Sequence, residues 1–129
     1  MTTREKLQAA GVQPTRIRLA LADYLFDGVD KHVTVQEALD ALRARRMQPS
    51  LASLYNTFNE FCRAGLIRKV TLDGGAAWFD TNMAPHHHLY HEDEGRLEDI
   101  EAVKIAGRPQ LPHGASVRAI DVVIRVGRN

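Results

Sequence analysis

The stretch from Pro49 to Asp80 constrains this chain more than any other, because it sets an amphipathic helix directly against a hairpin. Pro49 bars the preceding helix from continuing, Ser50 is a good N-cap, and the run Leu51 to Arg63 stops before Gly65. At about 100° per residue, Leu51, Leu54, Phe58, Phe61 and Cys62 share one side of that helix. Ser53, Asn56, Asn59, Glu60 and Arg63 share the other, with Tyr55 at the edge. Leu66 to Leu72, a turn at Asp73-Gly74-Gly75 and Ala76 to Asp80 then read as a β-hairpin.

Two further helices are predicted upstream, after a short one. Thr2-x-x-Glu5 is a capping box for a helix that stops at Gly11, and Pro14-Thr15 starts a longer one whose apolar stripe is Ile17, Leu21, Tyr24 and Leu25. Thr34-Val-Gln-Glu37 is a second capping box, leading a helix striped by Val35, Ala38, Leu39 and Leu42. Helix, helix, recognition-type helix, hairpin is the winged-helix order. The polar side of the 51–63 helix favours this reading, because Ser, Asn, Tyr and Arg are groups that read base edges and grip phosphates. A merely solvated face, which would more often carry Glu/Lys pairs, is the alternative.

The other informative feature is His86-His87-His88-Leu89-Tyr90-His91, followed at once by Glu92-Asp93-Glu94. In an extended segment His86 and His88 share one face while His87 looks the other way, so the run could feed two sites. Imidazole with nearby carboxylates suits divalent zinc, iron or manganese, and imidazole alone suits haem iron. A solvated polar loop is the bland alternative. Cys62 is the single cysteine, which excludes an internal disulfide and any Cys-x-x-Cys zinc clasp. Beyond the histidines, Arg96 to Ile100 and Val117 to Val126 read as strands, the second apolar enough to be central in a sheet.

Charge divides along the same line. Residues 1–70 carry a net charge of +4 and residues 71–129 one of −3, which suggests a polyanion-binding unit joined to a cation-binding unit. With 129 residues and 44% apolar content the chain has enough for a real core. It has neither a run approaching the roughly 18 apolar residues of a membrane span nor an apolar signal-peptide core, so a cytosolic location without membrane association is expected. The expected fold is α+β, with a winged-helix DNA-binding domain at 1–82 and a small α/β dimerisation and sensing domain at 83–129.

Five pieces in order, Gly11-x-x-x-Thr15-x-x-Arg18, His32, Ser50-Leu-Ala-Ser-Leu-Tyr-Asn56, Trp78-Phe79-Asp80 and His86-His87-His88, give the chain a close resemblance to the Fur family of metal-responsive transcriptional regulators. Within the family it resembles the Irr, or iron response regulator, branch. Where the family pattern continues with Cys-x-x-Cys this chain has His91 and Glu94, and Asn56 stands where many relatives have Arg. The resemblance implies a regulatory metal site at His32, Asp80, His86 and His88, with Asp99 as a fifth member and iron, manganese or zinc as the metal. It also implies a second metal or haem position at His87 and Asp121. Irr-like proteins are linked to haem, in some members through a Cys-Pro motif that this chain lacks, so haem would rest on the histidines alone.

The expected activity is non-enzymatic. A homodimer would place two copies of the 51–63 helix in successive major grooves of an AT-rich palindromic operator, with half-sites about 10 bp apart or a near multiple. Tyr55 is expected at a thymine methyl, Ser50, Ser53 and Asn56 at bases or phosphates, and Arg16 and Arg18 at phosphates. Two rivals are a metal-storage or chaperone protein without DNA, and a small metal-dependent hydrolase using Glu92 or Glu94 as general base.

Overall fold

The structure, a computed structural model, describes residues 1–72, 77–83, 87–100, 106–107, 109–117, 120 and 122–128. The chain divides into two compact units, Met1–Met83 and Ala84–Asn129.

The first unit opens with helices α1 (Thr3–Ala9) and α2 (Arg16–Leu25), followed by the two-residue strand β1 (His32–Val33) and helix α3 (Val35–Ala44). Helix α4 (Leu51–Arg63) and strands β2 (Arg68–Thr71) and β3 (Ala77–Asp80) complete it. Each helix starts where a side-chain oxygen replaces a missing intrahelical acceptor. The hydroxyls of Thr2, Thr15, Thr34 and Ser50 accept from the backbone N–H groups of Glu5, Arg18, Glu37 and Ser53. The β2–β3 hairpin is present, and its predicted turn at 73–75 lies outside the described residues.

Strand β1 escapes a pattern search because two residues carry no period. It is the outer strand of a sheet ordered β1-β3-β2, and its register sets His32 opposite Asp80. The core of this unit gathers Leu7, Leu21, Leu25, Leu39, Leu42, Leu54, Phe58, Phe61 and Phe79, all essentially inaccessible to solvent. Phe58 of α4 meets Phe79 of β3 with ring centroids 4.6 Å apart, which fastens the fourth helix to the hairpin. Phe61 lies 6.4 Å from Phe26 at the end of α2.

In the second unit, β4 (His87–His91), β5 (Arg96–Ile100) and β6 (Val123–Val126) form a sheet ordered β5-β4-β6, with β4 antiparallel to β5 and parallel to β6. Two expectations need correction. Of the strand predicted over Val117 to Val126, Val123–Val126 is regular while the described residues Val117, Ile120 and Val122 are not, and it lies at the edge of the described sheet rather than at its centre. Its apolar character instead leaves Val117, Ile120 and Ile124 more than two-fifths exposed.

Candidate nucleic-acid interface and metal-ligand pairs

The first half of α4 stands clear of the core. From Ser50 to Asn56 only Leu54 is buried, while Leu51, Ala52, Ser53, Tyr55 and Asn56 are exposed. Leu51 was expected on the buried stripe and is 44% exposed, about as open as Tyr55 at 43%. The core begins only at Leu54, so the first turn projects past it and the helical period no longer decides burial there. Thr57 is buried instead, its hydroxyl donating to the Ser53 carbonyl at 3.0 Å. The exposed turns carry no charged side chain, and they offer hydroxyls, an amide and a phenol, groups suited to base edges. Ser50 spends its oxygen on the cap, which leaves its hydroxyl proton available as a donor.

Arg16 and Arg18 prove unlike. Arg16 is exposed at the start of α2. The Arg18 guanidinium donates to Glu60 Oε2 at 2.7 Å and to the Gln13 carbonyl at 3.0 Å, so it ties α2 to α4 instead of being held ready for a phosphate. The polar side of α4 includes Glu60, so the phosphate contact expected of Arg18 would have to compete with a carboxylate that satisfies the cation locally. Cys62 is half-buried against the core, as its position on the apolar side predicted, and burial pushes its thiol pKa up.

In the sheet of this unit, the β1–β3 register brings His32 Nε2 to 3.3 Å from Asp80 Oδ2. Asp80 is fully buried and its Oδ1 also accepts from the Asn82 backbone at 2.8 Å. The loop leading to β1 is fixed by its own polar groups. The Asp27 carboxylate accepts from the Val29 N–H and the Lys31 ammonium, while the Lys31 N–H donates to Thr81 Oγ1 at 2.8 Å. The bond from Lys31, ahead of that from Val29, holds the Asp27 carboxyl below its ordinary pKa.

The second unit carries a matching pair. His88 faces Asp99 across β4 and β5, with Nε2 to Oδ1 at 3.7 Å, and His88 is fully buried. Its neighbour His87 points the other way and is used differently: its Nδ1 accepts from the Val122 backbone N–H at 3.2 Å. That contact engages the Nδ1 atom of His87 in this structure. His86 and Asp121 lie outside the described residues.

His91 and Glu94 stand at the positions noted above in place of the Cys-x-x-Cys pair. His91 Nε2 lies 3.2 Å from Glu98 Oε2, and the Arg96 guanidinium donates to both Glu98 and Glu94, at 2.8 and 3.1 Å. These bonds, Arg96 first and His91 second, hold the Glu98 carboxyl below its ordinary pKa. His113 is exposed in a turn. Among the described residues no helix is long and apolar enough to cross a membrane.

Comparison with known proteins agrees with this architecture. The chain is 30% identical over 96 residues to the peroxide operon regulator of Bacillus subtilis, an alignment covering 74% of this chain and 66% of that one. It thus spans about two thirds of the length of that relative. It is 28% identical over 111 residues to the ferric uptake regulation protein of Cupriavidus metallidurans, covering 85% and 78%. Its fold is similar to that of the ferric uptake regulator from Pseudomonas aeruginosa with manganese, with a TM-score of 0.73 at 20% identity over 99% of this chain and 98% of that one. The profile of the Ferric uptake regulator family matches residues 9–124. The chain therefore belongs to the Ferric uptake regulator family of metal-responsive transcriptional regulators, which are not enzymes.

Proposed function

We propose that this chain is a regulator of the Irr-like branch that binds an AT-rich, approximately palindromic operator as a homodimer in the cytoplasm, with its DNA affinity set by a divalent cation. The observation that carries the proposal is the projecting first half of α4, where Ser53, Tyr55 and Asn56 are exposed without a charge among them. A helix that enters a major groove must be uncovered on several sides, and its N-terminal residues reach the bases. Tyr55 would meet a thymine methyl, Ser50, Ser53 and Asn56 would bond bases or phosphates, and Arg16 would hold a phosphate. A storage protein or hydrolase has no use for such a helix.

The two acid–histidine pairs support the control step. Each offers one imidazole nitrogen and one carboxylate oxygen, a donor set that fits manganese, ferrous iron or zinc. Two donors are too few for such a metal, so we propose that His32 and Asp80 act together with His88 and Asp99, with His86 as a further ligand. A cation bound by all of them would supply a link that favours the arrangement of the two units satisfying every donor, and it would shift affinity only by that preference. Control by iron status is the physiological reading carried by the Irr resemblance. Haem, which the same resemblance brings in, would be taken up by the histidine run, with His87 and Asp121 as the further metal or haem position. The exposed apolar residues Val117, Ile120 and Ile124, the last on edge strand β6, support a second copy as the partner of this unit.

The test is fluorescence anisotropy on an AT-rich palindromic duplex, with protein stripped of metal and then supplied with manganese, ferrous iron or zinc. Wild type should bind at least tenfold more tightly with one of these metals. His32→Ala should keep basal binding and lose the response, and Tyr55→Ala should bind poorly throughout. Wild-type protein that binds no duplex under any condition would overturn the proposal.

A further inference from the structure

Arg46 is the only non-glycine residue with a positive φ among the described residues, at +62°. The other positive values belong to glycines at 11, 28, 65, 95, 107 and 114. It follows the end of α3, where the Arg46 N–H donates to the Arg43 carbonyl at 3.0 Å and the Met47 N–H to the Leu42 carbonyl at 2.9 Å. This closure calls for a left-handed residue, a position glycine fills without steric cost and a β-carbon fills with strain. An arginine there runs against local stability, and strain of this kind gathers where a side chain has work to do.

The surroundings indicate the work. Arg16, Ile17, Arg46, Met47 and Gln48 line one cleft of about 340 Å³, with two guanidinium groups and no carboxylate. Both arginines are exposed, and neither guanidinium has a hydrogen bond or ion pair among the described residues. Arg18 is held by Glu60 and Arg45 lies over the Tyr24 ring, so those nearby cations are engaged elsewhere. The cleft is lined by the first two residues of α2 and by three residues of the segment that leads into α4, helices whose N-termini carry partial positive charge. Gln48 adds an amide donor two residues before the Ser50 cap.

We infer that Arg46, with Arg16 and Gln48, forms a clamp for a DNA backbone phosphate at the edge of the groove that α4 enters. This rests on the DNA-binding reading above and adds a contact that the sequence did not single out. Paired guanidinium forks match phosphate oxygens, and backbone contacts of this kind fix the register of a recognition helix without reading sequence.

Arg46→Gly separates the local and functional consequences, because they have opposite signs. The variant should melt at a temperature equal to wild type or a few degrees higher, since glycine suits the left-handed position. It should nonetheless bind operator and unrelated duplex more weakly by a similar factor, about 3- to 10-fold at low salt. The slope of log K against log salt should fall in magnitude by about 0.9, the value of one lost phosphate contact. Arg16→Ala should do the same, and the double variant should lose little more slope than either single one, because both guanidinium groups hold the same phosphate. A full-length Arg46→Gly protein that melts normally and keeps the wild-type slope would overturn the clamp while leaving the DNA-binding reading intact. Wild-type protein that binds no duplex would overturn both.

Discussion

Breaking the contact between Arg18 and Glu60 should cost folding stability without altering the salt dependence of DNA binding. The guanidinium lies 2.7 Å from the carboxylate, and the two side chains are 26% and 30% exposed. A fully exposed pair would contribute about 0–1 kcal/mol, and a hydrogen bond to a charged group about 1.5–3 kcal/mol. With a single short bond and partial screening, a coupling of about 1.5 kcal/mol follows. The second bond of Arg18, to the Gln13 carbonyl, adds about 0.5–1 kcal/mol, so Arg18→Ala should cost about 2–2.5 kcal/mol in all. For a cooperative unit of this size that lowers the melting temperature by roughly 8–20 °C. The assay is a double-mutant cycle of Arg18→Ala, Glu60→Ala and the double variant in urea, with salt-dependent anisotropy run in the cold, where all four proteins are folded. A coupling below about 0.3 kcal/mol, together with a salt slope reduced by about 0.9, would refute the reasoning and return Arg18 to the phosphates.

Two other perturbations probe the scaffold. Phe58→Ala removes a fully buried ring packed on Phe79 and should destabilise the first unit by about 3–5 kcal/mol in urea titration, and a loss under 1 kcal/mol would contradict the packing described. Asp27, whose folded pKa is depressed, contributes stability above its unfolded pKa and loses it as pH falls through the lower folded value. Asp27→Asn should therefore melt below wild type at neutral pH, and the gap should close in strong acid; a gap that is constant with pH would assign the loss to something other than charge.

The local signals for helices were legible because each is short-range. The caps at Thr2, Thr15, Thr34 and Ser50 and the stripe Val35, Ala38, Leu39 and Leu42 depend on residues within one or two turns, and all are found as read. The histidine run and its spacing showed that imidazoles would alternate between faces, and His87 and His88 do so.

What the sequence alone determined is therefore the inventory: four capped helices in order, the two hairpin strands of the wing, strand β5 and a set of nitrogen and oxygen donors without a second cysteine. Tertiary structure decided which donors face which. A two-residue strand has no period to detect, yet its register sets His32 opposite Asp80. The Arg18–Glu60 tie joins residues 42 apart in the chain, and the Val122 bond that occupies His87 joins residues 35 apart. Burial at the start of α4 likewise depends on where the core ends, not on helical phase, and so Leu51 faces outward. Propensity and capping act through neighbours in sequence, whereas the use of a polar side chain depends on whichever group the folded chain brings within about 3 Å of it.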